Sequence, residues 1–190
     1  MGRVRSALVR PWTVGVLVVA VAAVAFGLYW FQPWKLWQDE TVQESLPAAA
    51  AAVPPDPVET PSGASSAPPA PSVPTTLASG ELISHEHATS GTVKLVQLAD
   101  GSHVVRLEQL DTSNGPDLRV WLTDAPVKEG TAGWHVFDDG EYVSLGKLKG
   151  NKGSHNYALP EGVDPARFSS VSIWCDRFDV SFGAAELARA

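Results

Sequence analysis

"GTVKLVQLADGSHVVRLEQL", residues 91–110, decides the fold. Residues 91–98 and 103–110 each alternate apolar with polar side chains, the period of a β-strand with one buried face. Between them lies Ala99-Asp100-Gly101-Ser102, a turn signal. The two runs therefore read as an antiparallel hairpin. The same period recurs outward along the chain. "DLRVWLT" (117–123) puts Leu118, Val120 and Leu122 on one face. "EYVSLGKL" (141–148) reads as another strand, and "VSIWC" (171–175) and "FDVSF" (178–182) close the series. "SNGPD" (113–117) is a turn, "GVDPARF" (162–168) a turn or a single helical turn. Residues 149–162 read as a structured loop leading into a short strand around Tyr157. Helical periodicity is confined to "AAELARA" (184–190). About six short strands separated by turn residues predict an all-β, β-sandwich-like single domain, with a barrel as the alternative.

This domain is expected to span residues 78–190, because the rest of the chain reads differently. Residues 12–31, "WTVGVLVVAVAAVAFGLYWF", carry no charge. A helix of that length, at about 1.5 Å per residue, crosses a hydrocarbon core of roughly 30 Å. Arg3, Arg5 and Arg10 precede it, while Asp39, Glu40 and Glu44 follow soon after. That asymmetry predicts a single-pass protein of the cell membrane, with residues 1–11 cytoplasmic and the C-terminal domain extracytoplasmic. The run is longer than a signal-peptide core and ends in Leu28-Tyr29-Trp30-Phe31 rather than at a small-residue cleavage site, so it reads as an anchor. Residues 32–77 are expected to be a linker. Its part from 47 to 76 is built of Pro, Ala, Ser and Thr, which bury too little apolar surface to offset ordering entropy. It reads as a disordered stalk holding the domain off the membrane. Within 78–190, ten Lys and Arg oppose sixteen Asp and Glu. The acidic balance disfavours nucleic acid and anionic lipid headgroups as partners.

The chain has one cysteine, Cys175. Exported proteins usually pair their cysteines. A lone one can form only an intermolecular disulfide. Alternation places Cys175 on the face of Val171 and Ile173, inward, which argues against even that. Three readings stay open: a buried small hydrophobe, a reactive thiolate, or a ligand to a metal or haem iron. An ordinary blue-copper site is disfavoured. The five histidines, His85, His87, His103, His135 and His155, all precede Cys175, and the only methionine is Met1. No C-x-x-C-H motif is present, so covalent c-type haem attachment is excluded, while a haem held by the Cys175 thiolate stays open. His85 and His87, two apart in "SHEHA", would face one way on a strand, but a third ligand is lacking. No G-x-S-x-G, H-E-x-x-H, P-loop or G-x-G-x-x-G motif occurs.

Three stretches, taken in order, resemble the DM13 domain: "GPDLRVWLT" (115–123), "SLGKLKGNKGSHNYALP" (144–160) and "FSSVSIWCDRFDVSFGAAEL" (168–187). The resemblance begins near "GELISHEHATSG" (80–91) and leaves out the apolar run and the linker. It implies an all-β domain, often extracytoplasmic, proposed to act in electron transfer, with its hallmark cysteine at Cys175 acting as a free thiol or through a prosthetic group. The groups expected to support it are Trp174 and Phe178 beside it, His155, Asn156 and Tyr157 in the loop, and Pro116 and Asp117 in the turn. His155 stands where the family pattern leads one to expect Gln. The resemblance also implies a redox partner in another molecule. The reading from a second class is a non-catalytic cell-surface binding or adhesion module in which Cys175 only fills the core.

Overall fold

The computed structural model describes residues 11–47 and 73–190. The expected cytoplasmic start (residues 1–10 of it) and the Pro-rich stretch from 48 to 72 lie outside the described residues. An α-helix, α1 (Pro11–Phe31), carries no buried residue. Among the described residues it is the one helix long and apolar enough to cross a membrane. A short 3-10 helix, Pro33–Trp37, follows.

Eleven strands then build two sheets. β1 (Thr41–Gln43), β2 (Thr75–Glu81), β4 (Ser90–Gln97), β5 (His103–Asp111), β8 (Lys152–Ala158) and β11 (Ala188–Arg189) form the first, in the order β1-β8-β5-β4-β2-β11. β3 (Ile83–Ser84), β6 (Leu118–Thr123), β7 (Tyr142–Lys147), β9 (Ser170–Cys175) and β10 (Val180–Glu186) form the second, in the order β3-β10-β9-β6-β7. The predicted hairpin is β4–β5, with Val93 opposite Leu107 and Leu95 opposite Val105. These four pack in the core between the sheets, against Leu118, Val120 and Leu122 of β6 and Val171, Ile173 and Cys175 of β9. The all-β sandwich expected from the alternation is the fold.

β9 is buried on both faces. Its second face, with Trp174, meets a smaller cluster of Trp121, Ala125, Phe137 and Ala184. Residues 124–141 lie over that face: His85 contacts the Lys128 carbonyl at 3.0 Å, and the Trp134 carbonyl accepts from the Ser181 N–H at 2.8 Å. A sheet covered on both sides cannot show strict alternation, which is why "VSIWC" is apolar almost throughout.

Three segments differ from the sequence expectation. Residues 152–158 form a full strand rather than a loop. Its glycines seat β1: a Cβ on Gly153, whose φ is +107°, would collide with the Val42 carbonyl oxygen. β1 pairs in parallel with β8 through Thr41, Val42 and Gln43, inside the stretch expected to be linker. The first sheet thus takes strands from both sides of residues 48–72, β1 before them and β2 after, while α1 reaches β1 through residues 32–40 alone. The expected helical tail is strand as well. A bulge between Ser181 and Gly183 reverses which side chains face inward. Val180 and Phe182 before it, and Ala185 and Leu187 after it, all reach the main core. That burial outweighs the helix propensity of the alanines.

Candidate functional site

Cys175 ends β9, opposite Val180 of β10 and Leu118 of β6. Its exposure is 0% and it pairs with no other thiol. The chain turns immediately: the Phe178 N–H donates to the Cys175 carbonyl at 3.2 Å, and the Asp176 N–H to the Asp117 carbonyl at 3.1 Å. Burial pushes the thiol pKa up, while the N–H groups of Arg177, Phe178 and Asp117 pull it down and the nearby Glu86 charge raises it further. Desolvation wins, so the group is a neutral thiol at neutral pH.

The expected supporting residues divide. Pro116, Asp117 and Phe178 do gather at this end of the strand. Asp117 forms a charged cluster with Arg119, Asp176 and Lys147, in which Arg119 pairs closely with Asp176. Burial raises the Asp176 carboxyl, Arg119 lowers it, and Asp117 and Asp179 raise it again. Trp174 adjoins Cys175 in the chain but projects to the other face of the sheet, into the Trp121–Phe137 cluster. His155, Asn156 and Tyr157 sit on β8 of the opposite sheet. Both His155 nitrogens are engaged, Nδ1 with the Tyr157 hydroxyl at 3.3 Å and Nε2 with the Lys152 carbonyl at 3.1 Å. Asn156 binds outward, accepting from Arg106 at 2.8 Å and donating to the Ser45 carbonyl at 2.7 Å. Tyr157 accepts from the Lys149 N–H at 3.0 Å, and burial pushes its pKa up to about 12. Asn156, whose N–H also donates to Glu44 at 2.7 Å, fastens residues 44–45 to the sheet.

Sequence reasoning missed the neighbours that come from the helix end. Phe31 stacks on Phe178 with ring centroids 5.6 Å apart. Arg177 donates to the Trp30 carbonyl and lies 5.3 Å from the Trp30 ring centroid. Between helix end and sandwich is a cleft of about 220 Å³ lined chiefly by Phe31, Pro33, Leu36, Pro116, Phe178 and Phe182. A more polar cleft of about 200 Å³ adjoins it through Asn114, Gly115 and Pro116. Only the aromatic richness of residues 29–37 hinted at such a surface.

Cys175 lines neither cleft. Both are smaller than the roughly 300–1,000 Å³ of ordinary ligand pockets. A haem iron therefore has no approach to the sulfur here, and haem ligation by Cys175 does not fit this arrangement. The "SHEHA" segment is a bend rather than a strand, and its rings diverge. His85 binds the Ser181 hydroxyl at 2.8 Å and the Lys128 carbonyl, whereas His87 packs on Phe182 with centroids 4.1 Å apart. No group of three or more His, Cys, Asp or Glu suited to a metal occurs among the described residues.

The geometry defines a β-sandwich whose lone thiol is enclosed at a strand end beside an apolar helix. The chain belongs to the DM13 family: the family model described as electron transfer DM13 matches residues 81–187. That match covers both sheets except β1, all of β2 but its last residue Glu81, and β11, and it includes Cys175. No curated protein and no solved structure shows a significant match to the chain.

Proposed function

We propose that this chain is a membrane-anchored electron-transfer accessory protein, with α1 as a single-pass anchor and the sandwich on the extracytoplasmic side. Its redox group is Cys175, kept as a neutral thiol beneath the turn at residues 176–179 and made reactive only when that turn opens. The observation that carries this reading is the position of Cys175, fully buried at the end of β9 under a turn in which the Phe178 N–H donates to the Cys175 carbonyl and the Asp176 N–H to the Asp117 carbonyl. Once the turn admits water, desolvation falls away and the thiolate becomes available. Asp179, with φ of +51° and no glycine's freedom, makes this turn a place where backbone strain is held. A partner protein supplies or receives the electrons. The test is to replace Cys175 with Ser in the full chain and compare the electrons each protein gives up to a chemical oxidant. Unchanged oxidation would sink the cysteine-centred role.

A second reading has its own support. Complete burial of Cys175, with no cleft reaching it, is what a binding or adhesion module with a structural cysteine requires. In that reading native thiol reactivity is absent and loop residues carry the function.

A further inference from the structure

Three rings cross the second sheet on the face away from the main core. Trp174 of β9 stacks on Trp121 of β6 with centroids 4.8 Å apart and planes 22° apart. Trp121 stacks on Tyr142 of β7 at 4.0 Å and 8°. Exposure rises along the row, from 1% at Trp174 through 6% at Trp121 to 46% at Tyr142. Strand order places the three on successive strands, β9-β6-β7. The row begins one residue from Cys175 and ends in solvent.

Packing alone does not account for it. The Nε1–H of Trp121 is buried with no hydrogen-bond partner. An unpaired buried donor costs stability, and a phenylalanine would fill the space without it. What indole adds is an easily oxidised ring. With no acceptor at Nε1, an oxidised Trp121 keeps its proton, stays a radical cation and readily takes an electron from its neighbour.

We propose that Trp174, Trp121 and Tyr142 form a one-electron relay that opens at Tyr142, the point where the domain exchanges electrons with a partner. The relay rests on the electron-transfer reading of the domain but does not require Cys175 to react. A one-electron oxidant at the Tyr142 end, such as the oxidised metal centre of a partner protein, draws an electron from Trp121, stacked beneath Tyr142, and leaves an indole radical cation. The adjacent ring refills it. The last electron comes from Tyr142, whose hydroxyl proton passes to water, leaving a neutral tyrosyl radical at the surface. A reduced haem or flavin of a partner returns one electron, water returns the proton, and the phenol is restored. The oxidant gains one electron and the reductant loses one.

The full chain in detergent micelles tests this. Laser photoionisation of tryptophan, with nitrous oxide scavenging the ejected electron, produces tryptophan radicals that transient absorption follows. The expected result is a tyrosyl signal growing as the tryptophan signal decays. In Tyr142→Phe, at an exposed position that tolerates the change, that growth is lost. In Trp121→Phe it slows, because Trp174 loses its stepping stone. Cys175→Ser leaves it intact, which separates failure of the relay from failure of the cysteine-centred role. Growth of the tyrosyl signal unchanged in Tyr142→Phe, its electron then coming from Tyr29 or Tyr157, would overturn the proposal. So would an unchanged rate in a folded Trp121→Phe variant.

Discussion

Arg177 Nη1 donates to the Trp30 carbonyl at 2.6 Å, so the turn that encloses Cys175 also caps the C-terminal end of the apolar helix. A cation placed on the unpaired carbonyls of a last helical turn interacts favourably with the helix dipole. The same guanidinium covers the Trp30 ring. Replacing Arg177 with Ala should cost the domain less than about 1 kcal/mol, because the pair is exposed. It should instead loosen the joint. Limited proteolysis between residues 32 and 40 should quicken while the thermal midpoint of the sandwich stays nearly unchanged.

Asn151 is the fastening of β1. Its side chain is 2% exposed and makes three bonds: it accepts from the Glu40 N–H at 2.7 Å and donates to Asp39 and to the Thr112 carbonyl, both at 2.8 Å. Truncation to Ala leaves the carbonyl of the buried Thr112 unmatched, at about 1–3 kcal/mol. Chemical denaturation of Asn151→Ala should show that loss, and amide exchange in residues 41–45 should rise well above the rest of the first sheet. Slow exchange there in the variant would mean that β1 is held by other contacts.

Acid should weaken the fold through its enclosed histidines. Burial is the largest effect on both His85 and His155, and it pushes their pKa values below the ordinary 6.5. The unfolded chain then binds more protons than the folded one below that value. Stability is complete above about pH 6.5 and is lost as pH falls through it. Glu44 and Glu108, whose pKa values are lowered chiefly by Lys149 and Lys94, add a further loss only below the carboxylate range near 4.5. Denaturation midpoints measured between about pH 5 and 8 should therefore fall on acidification. His85→Gln should flatten that slope. A midpoint that rises with acid would contradict the neutral assignment.

Phe178 closes the turn that follows the thiol. It is 36% exposed, so its packing against Phe31 is one-sided. Phe178→Ala should cost about 1 kcal/mol or less, as partial burial of one ring implies, yet it should open the turn more often. Thiol labelling of native Phe178→Ala should be faster than in the parent chain.

Much of the sandwich was legible because the β4–β5 hairpin buries one face, which period-two alternation reports directly, and because Leu118, Val120 and Leu122 of β6 alternate toward the same core. β9 was legible only in part. Its second face is buried by residues 124–141, and no local pattern announces a covering loop. β1 escaped because three residues, Thr41–Gln43, carry no periodicity and take their partner from 111 residues further along the chain, with Thr41 opposite Lys152. The glycines of "KGNKGS" were read as part of a structured loop when they are the notch that admits β1. At the site, Pro116, Asp117 and Phe178, grouped with Cys175 by the resemblance, do lie near it because they flank adjacent strand ends. His155, Asn156 and Tyr157, grouped with it on the same ground, belong to the other sheet. Arg177 and the helix end were missed because their contact joins segments about 147 positions apart.

The most direct measurement is the rate at which a thiol reagent labels Cys175 in the native full chain as denaturant is raised from zero. If the turn at 176–179 opens locally, labelling at low denaturant is slow but nearly independent of denaturant, and it quickens with pH as the thiolate forms. That result is the one predicted. A labelling rate that follows global unfolding at every denaturant concentration would mean that the thiol is released only when the sandwich comes apart, and the redox role of Cys175 would be wrong.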